Sequence, residues 1–148
     1  MNVDKELFAA FAFHAGLMVV KTLGMSFLTA RQRFAKNNFI SREDGKTRPA
    51  AKIGTGVDED VERVRRAHQN DIENIFPFLT LGFLYLFTNP ALSTATTVFR
   101  LFSGARILHS VVYLWEIPQP SRALAFFAGM GANLYMGYKI LSTFMSAM

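Results

Sequence analysis

The segment VERVRRAHQNDIENIFPF, residues 61–78, joins a dense run of charged and amide side chains to an apolar run with no turn signal between them. On an α-helix, steps of four, four and three place on one stripe Glu62, Arg66, Asn70 and Glu73. Ionisable groups carried into a membrane-type apolar segment are costly unless paired, and they usually mark a polar site. The segment therefore predicts a polar pocket at one edge of a membrane bundle.

Apolar residues make up 51% of the 148-residue chain, and they concentrate in four stretches, 7–30, 75–88, 92–114 and 123–146. Three of these stretches are long enough to cross a bilayer, which needs about 20 residues, and the second is long enough only if its helix begins inside the charged segment. We therefore predict an all-α integral membrane four-helix bundle forming one domain, residues 1–148. Its helices are expected at about residues 7–34, 61–88, 92–115 and 121–146.

The positive charge indicates an orientation for this bundle. Ten of the sixteen Lys and Arg residues lie between Arg31 and Arg66, a span that contains the expected loop at about 35–60. The two later connections are poor in Lys and Arg. Because basic loops stay on the cytosolic side, the long first loop is expected in the cytosol and both termini in the lumen.

Several kinds of site are disfavoured by the residue content. The chain has no cysteine, so a disulfide framework or a thiolate site is impossible. No metal-ligand spacing relates His14, His68 and His109, and we expect no metal site. The basic loop contains no recognisable nucleic-acid-binding module, so we expect no nucleic-acid partner.

Arginines beside or within the apolar segments are the strongest candidates for chemistry, namely Arg33, Arg63, Arg65, Arg66, Arg106 and Arg122. An arginine recognises carboxylates through planar, often bidentate contacts and keeps its proton. Together with His68, Asn70, Glu73 and Tyr113, they suit a small ligand that carries several carboxylates and an amine. The alternative is an internal ion-pair network in which Arg66 binds Glu62 or Glu73 and fixes the helix packing.

Two further polar residues lie on the first predicted helix. His14 and Lys21 are seven positions apart and therefore share one face. Because an ionisable residue in the middle of a membrane segment usually faces the bundle interior, we expect this face to point inward.

The residues also resemble a known family, the membrane-associated proteins in eicosanoid and glutathione metabolism (MAPEG). The resemblance covers nearly the whole chain and is most specific in the segment ERVRRAHQNDIENIFPF, residues 62–78. It continues through Gly104-Ala105-Arg106, His109, Tyr113-Leu114 and PQPSRAL at 118–124. Within the family, the chain looks most like the glutathione transferase branch, with the prostaglandin E synthase branch next.

The resemblance implies a homotrimer of four-helix protomers, with glutathione bound between neighbouring subunits near the cytosolic side. The positions that match glutathione-binding residues are Arg33, Arg65, Arg66, His68, Asn70, Glu73, Arg106 and Tyr113, with Asp44 in the matching loop. Arg122 matches the arginine that stabilises the glutathione thiolate, and Tyr113 is expected to donate to the sulfur or to position it. A neighbouring cation lowers the pKa of a thiol from about 8.5 and so favours its nucleophilic form.

The chain departs from the family pattern at four positions. Ala123 and Phe126 stand where the prostaglandin synthase has a serine and a tyrosine near its reaction centre. Gly45 replaces the cysteine through which a vertebrate transferase is activated by thiol modification, so no such activation is expected here. Arg42 replaces the proline before the Glu-Asp pair of the loop.

The resulting expectation is a glutathione transferase of internal membranes that conjugates hydrophobic electrophiles and extends to glutathione-dependent reduction of lipid hydroperoxides. The endoplasmic reticulum is the expected location, with the outer mitochondrial membrane as the alternative, and the partners are glutathione, an apolar substrate from the bilayer, and membrane lipids. Two other functions remain open: a glutathione-dependent prostaglandin E synthase and a non-enzymatic lipid-binding accessory protein.

Overall fold

A computed structural model describes residues 3–46, 48 and 51–145, and it is all-α apart from two very short strands. The elements in chain order are α1 Lys5–Lys36, β1 Asn38–Phe39, α2 Arg42–Gly45, β2 Lys52–Ile53, α3 Glu59–Tyr85, a 3₁₀ turn Leu86–Thr88, α4 Leu92–Leu114 and α5 Ser121–Met145. The first helix is longer than the expected 7–34 at both ends. Helix α3 begins two residues before the expected 61–88, and the last three residues of that expected range form the 3₁₀ turn instead of continuing the α-helix. Residue 146, the expected end of the last helix, lies outside the described residues.

Aspartates begin the two helices that carry most of the polar residues. The Asp4 carboxylate accepts hydrogen bonds from the backbone N–H groups of Glu6 and Leu7, at 2.9 and 3.0 Å. The Asp58 carboxylate accepts from Asp60 and Val61 at the start of α3. Such caps satisfy N–H groups that have no partner within the helix. Asp58 therefore caps α3, and the charged segment lies at the start of a helix that runs on into apolar sequence.

Aromatic side chains fill the centre of the bundle. Phe78 of α3 stacks on Phe102 of α4, with ring centroids 4.1 Å apart and planes at 3°. Phe11 of α1 lies against Phe78 and Phe99. This close approach needs Gly82, because a Cβ at that position would lie 2.5 Å from Cε2 of Phe11. The absence of a side chain at Gly82 thus brings α1 and α3 together.

Helices α1 and α4 run parallel and are joined by two polar contacts. His14 Nδ1 lies 2.9 Å from Ser103 Oγ, and Lys21 Nζ donates to Ser110 Oγ at 2.6 Å. Both contacts join residues 89 positions apart, so the two helices advance in register from one contact to the next. His14 is buried and Lys21 nearly so, which confirms that their shared face points into the bundle.

The loop expected at about 35–60 contains two short strands and the one-turn helix α2. Strands β1 and β2 pair in parallel, with Lys52 N–H donating to Asn37 O at 2.9 Å and Gly54 N–H to Phe39 O at 2.8 Å. The guanidinium of Arg48 lies over the rings of Phe34 and Phe39, 5.1 and 5.6 Å from their centroids. These tertiary contacts order the segment, since neither two-residue strand could form alone. Residues 47, 49 and 50 of the expected loop lie outside the described residues.

The outer surface of the described helices is strongly apolar. Phe13, Val20, Leu23 and Phe27 on α1 are each at least 65% exposed. Among the described helices, α1 is the one with both the length, 32 residues, and the apolar window, mean hydropathy 1.6, of a membrane-crossing segment.

Candidate functional site

The polar stripe predicted on the second long helix faces two different environments. Arg66 and Glu73 are exposed and Asn70 is half-buried, whereas Glu62 is only 5% exposed. Glu62 shares its burial with Val61 and Ala67, which lie on the inward side of α3. The stripe available to a ligand therefore comprises Arg66, Asn70 and Glu73.

The ion pairs of this helix differ from those considered on the sequence. Arg66 pairs with Glu59, not with Glu62 or Glu73, and Glu62 instead pairs with Arg65 at 2.8 Å. The Arg65 guanidinium holds the pKa of Glu62 below its usual value, although burial acts in the opposite direction. Long helical side chains lean toward the N-terminus, which explains why Arg66 reaches back to Glu59. The internal ion-pair network thus exists, but among the described residues it gives Glu73 no cation.

Two arginines converge on Tyr113. The guanidinium carbon of Arg122, at the start of α5, lies 4.6 Å from the centroid of the Tyr113 ring. Arg66 of α3 pairs with the Glu59 carboxylate, and this carboxylate, together with the nearby Tyr113 hydroxyl, raises the pKa of Arg66. A guanidinium over an aromatic face is held by the ring quadrupole. Both candidate catalytic residues are therefore in contact, at the end of the bundle where α3 begins.

An aromatic wall adjoins this cluster. The His109 ring lies 5.7 Å from Tyr113 and 6.4 Å from Phe126, centroid to centroid. His109 is buried, whereas Tyr113 and Arg122 are half-buried. Because Phe126 has no hydroxyl, the wall is apolar on the side facing α5.

A buried charged network lies beneath Asn70. Asp71 is fully buried, and its Oδ2 lies 2.5 Å from Lys21 Nζ while its Oδ1 lies 2.6 Å from Arg106 Nη2. Ser110 donates to Asp71 Oδ2 at 3.1 Å. Arg106 Nη2 also donates to the side-chain oxygen of Asn70 at 2.9 Å. These contacts, with the guanidinium of Arg106 fully buried, favour a role in supporting Asn70 over direct contact with a ligand.

Glu73 lies at the rim of a groove between α3 and α5. The groove has a volume of about 480 Å³ and is lined largely by apolar side chains, with Asn74 and Asn133 as the amide groups. Asn133 donates to the backbone oxygen of Asn74 at 3.2 Å, and its own side-chain oxygen is buried without a partner. The exposed carboxylate of Glu73 accepts a hydrogen bond from Gln69 Nε2 at 3.2 Å but makes no ion pair among the described residues, so it is available to a ligand amine.

The remaining predicted residues lie around this end of the bundle. His68 is half-buried on α3, Arg33 is half-buried in the last turn of α1, and Asp44 is exposed in α2. Within the described part of the chain, Arg33 and Asp44 take part in no ion pair. No three His, Asp or Glu side chains of the described residues are grouped closely enough to hold a metal ion.

A model of the MAPEG family matches residues 11–142. The chain belongs to the MAPEG family. This MAPEG chain is 48% identical to microsomal glutathione S-transferase 1 of Mus musculus over 143 residues, 94% of this chain and 92% of that protein. The identity to the Homo sapiens protein of the same name is also 48%, over 95% and 93% of the two chains. Prostaglandin E synthase of Bos taurus is 36% identical over 84% of the MAPEG chain and 80% of its own length.

The structure adds residues to the MAPEG site that the sequence did not single out. Asp71 was hidden in a charge-rich segment, although it falls on the helical stripe of Ala67, Asn74 and Phe78, all of them buried. A carboxylate on an apolar stripe requires a cation, and the inward-facing Lys21 was the available signal. Ser110 carried no such signal, because serine in a helix is common and its partner comes from another helix.

Proposed function

We propose that the protein is a membrane-bound glutathione transferase that joins the glutathione thiolate to hydrophobic electrophiles. The observation that carries this proposal is the convergence of Arg66 and Arg122 on Tyr113, which concentrates positive charge around one phenol. The names of the relatives, which cover nearly the whole chain, support the same reaction.

The two cations suit the activation of a thiol. A thiol with a pKa of about 8.5 is mostly protonated at neutral pH, and each unit by which a cation lowers that pKa is worth about 1.4 kcal/mol. Arg122 is the residue proposed to stabilise the thiolate. Tyr113 lies under its guanidinium and can donate its hydroxyl proton in a hydrogen bond to the sulfur.

The charges along α3 suit the rest of glutathione. We propose that the carboxylates of glutathione bind Arg33, Arg65 and Arg66. The amine of glutathione is proposed to bind Glu73. Arg66 is tied to Glu59, a carboxylate that is 66% exposed, so a better-placed ligand carboxylate can replace it at little cost. Asn70 lies between the arginines and Glu73, and its side-chain oxygen accepts a hydrogen bond from Arg106. His68 and the loop residue Asp44 complete the proposed site from its rim.

Assembly of a homotrimer in a membrane would cover the outward face of α3, which is exposed in the single chain. The outward face of α3 carries Arg66 and Glu73 and then the apolar Phe76, which is 69% exposed. A second copy of the chain packed on this face would bury Phe76 and place its own residues beside Arg66 and Glu73. This supports a trimeric four-helix bundle with glutathione between subunits. The Lys and Arg residues of the long loop support a cytosolic loop and lumenal termini. The microsomal names of the relatives support the endoplasmic reticulum as its location.

The second substrate can approach through the apolar surface. A groove of about 540 Å³ between α4 and α5 is lined by apolar and small side chains and extends to Ser121, the neighbour of Arg122. An electrophile dissolved in the bilayer could follow this groove to the sulfur. A lipid hydroperoxide could use the same route, in which case glutathione would reduce it.

Prostaglandin E synthase activity is the second candidate, because proteins of that name are 36% identical. Ala123 and Phe126 offer no hydroxyl beside Tyr113, so we expect little conversion of the prostaglandin endoperoxide. Product analysis with that endoperoxide separates the two activities. A lipid-binding accessory role would be supported instead by glutathione binding without any turnover.

The direct test is conjugation of a chlorodinitrobenzene by purified protein in detergent or lipid nanodiscs. We expect glutathione-dependent conjugation well above the uncatalysed rate. Folded, assembled protein that gives no such excess would refute the transferase.

A further inference from the structure

We infer that Asp71, held by Lys21, is a positioning residue for the glutathione site: acting through Arg106, it orients the Asn70 amide so that its N–H donors face the tripeptide. This inference rests on the proposed function. It concerns groups that lie below the site and touch no substrate.

Asp71 joins two cations from two different helices. Asp71 lies on α3. Its Oδ2 pairs with Lys21 Nζ of α1 at 2.5 Å, and its Oδ1 pairs with Arg106 Nη2 of α4 at 2.6 Å. Ser110 contacts both Lys21 and Asp71, at 2.6 and 3.1 Å. With both carboxylate oxygens committed, Asp71 cannot turn, and the position of Nη2 of Arg106 is fixed.

Arg106 in turn determines the orientation of Asn70. A guanidinium has only donors, so the Asn70 atom that faces Nη2 at 2.9 Å must be the carbonyl oxygen. The amide nitrogen of Asn70 therefore points away from the buried network. Asn70 is half-buried on the stripe between Arg66 and Glu73, so its two N–H donors are offered on the side proposed for glutathione. A carboxylate or peptide carbonyl needs donors there, and the reversed amide would present an oxygen to it.

The network also explains why a buried carboxylate is needed at this place. Arg106 has no exposure to water, and its Nε and Nη1 have no partner among the described residues. Without Asp71, two buried cations would face each other unpaired, an arrangement that is strongly unfavourable. Arg106 would then shift toward other acceptors, and the Asn70 amide would lose its fixed orientation.

The experiment is a double-mutant cycle on glutathione affinity, measured by calorimetry on the assembled protein in detergent. We expect Asp71→Asn, which keeps the side-chain shape, to raise the Kd for glutathione by about tenfold, the size of one lost hydrogen bond to a charged group. Asn70→Ala should have a similar effect. Because both act on one contact, the double variant should bind no more weakly than Asn70→Ala alone.

A matched control tests whether the loss of any polar contact between helices raises the Kd for glutathione. Ser103→Ala removes the other polar contact between α1 and α4, the one to His14, and does not touch Asn70. Its Kd should stay within about twofold of the wild type, since distant sites are usually independent. If Asp71→Asn does not fold, Lys21→Gln takes its place in the cycle, with a smaller effect that again disappears in the Asn70→Ala background.

The outcomes separate the two proposals. Wild-type protein that does not bind glutathione refutes the proposed function. If the wild-type protein binds glutathione but the increases in Kd caused by Asp71→Asn and Asn70→Ala multiply in the double variant, only the positioning role is overturned. The positioning role is also overturned if Ser103→Ala raises the Kd as much as Asp71→Asn does.

Discussion

The guanidinium of Arg122 lies over the ring of Tyr113, 4.6 Å from carbon to centroid, and the hydroxyl of the same tyrosine lies near the guanidinium of Arg66. One aromatic side chain thus adjoins two cations from two helices. Arg122 remains half-buried in this arrangement and can therefore meet an incoming sulfur.

Replacing Arg122 should reduce the amount of thiolate. We expect Arg122→Ala to lower kcat about a hundredfold, the usual effect of removing one group that stabilises an anion, with a smaller change in glutathione affinity. Stopped-flow absorbance of the thiolate on adding glutathione is the measurement. The control is Arg31→Ala, which changes an exposed arginine near the C-terminal end of α1, and it should keep the wild-type thiolate signal. An unchanged thiolate signal in Arg122→Ala would assign the role to another residue.

Tyr113→Phe separates the ring from the hydroxyl. The ring under Arg122 is kept, so the cation–π contact and the fold should persist. If the hydroxyl donates to the sulfur, kcat should fall about tenfold, the value of one hydrogen bond to a charged group. Steady-state kinetics at saturating glutathione would show this, and equal kcat values would restrict Tyr113 to its ring contact with Arg122.

The Glu62–Arg65 pair should make stability depend on pH on the acid side. Arg65 holds the native pKa of Glu62 below its ordinary 4.5, so the unfolded chain takes up this proton more readily than the folded one. The contribution to the free energy of unfolding is complete above that ordinary value and is lost as the pH falls through the lowered native pKa.

The measurement for this pair is thermal unfolding in detergent across the acid range. Glu62→Gln should remove about 1 kcal/mol at neutral pH and progressively less as the pH falls. Glu43→Gln, which changes an exposed carboxylate outside the ion pairs, should follow the wild type at every pH. A loss in Glu62→Gln that stays constant with pH would contradict the expectation.

Gly82→Ala should separate α1 from α3. The added Cβ would lie 2.5 Å from Phe11, a ring packed among other aromatic side chains, so we expect a loss of about 1–3 kcal/mol in unfolding free energy. Phe11→Leu in the same protein should recover part of it. Gly24→Ala, where nothing lies within 4 Å, is the matched control and should gain about 0.5–1 kcal/mol from helix propensity. Thermal unfolding of all three variants decides the matter.

Gly45 bears on the expected absence of activation by thiol reagents. The wild-type chain has no cysteine, so treatment with a maleimide, removed before glutathione is added, should leave the rate unchanged. Gly45 is buried, and a Cβ there would meet Cδ1 of Ile53 at 2.7 Å. Gly45→Cys should therefore loosen the β1–β2 pairing even before it is modified, which limited proteolysis of the loop would detect.

The long helices could be predicted because each apolar stretch has helical length and distinct flanking residues. The loop could not, since two-residue strands and the Arg48 contacts with Phe34 and Phe39 depend on tertiary proximity. Counting residues along α3 placed Arg66 and Glu73 correctly on one exposed stripe. It failed for Glu62, which is buried, and for the partner of Arg66, because side-chain length and direction decide ion pairs. Asp71 was missed since a carboxylate among many charges gives no sign that it faces inward.

The equal spacing of the His14–Ser103 and Lys21–Ser110 contacts limits how the chain can change its length. One residue gained or lost within 15–20, or within 104–109, would rotate the remainder of that helix by about 100° and break one contact while leaving the other. Single-residue insertions and deletions should therefore be tolerated less within these two windows than in the connections between helices. A library of single-codon deletions scored for detergent-stable protein would display this as two short intolerant windows, one in each helix.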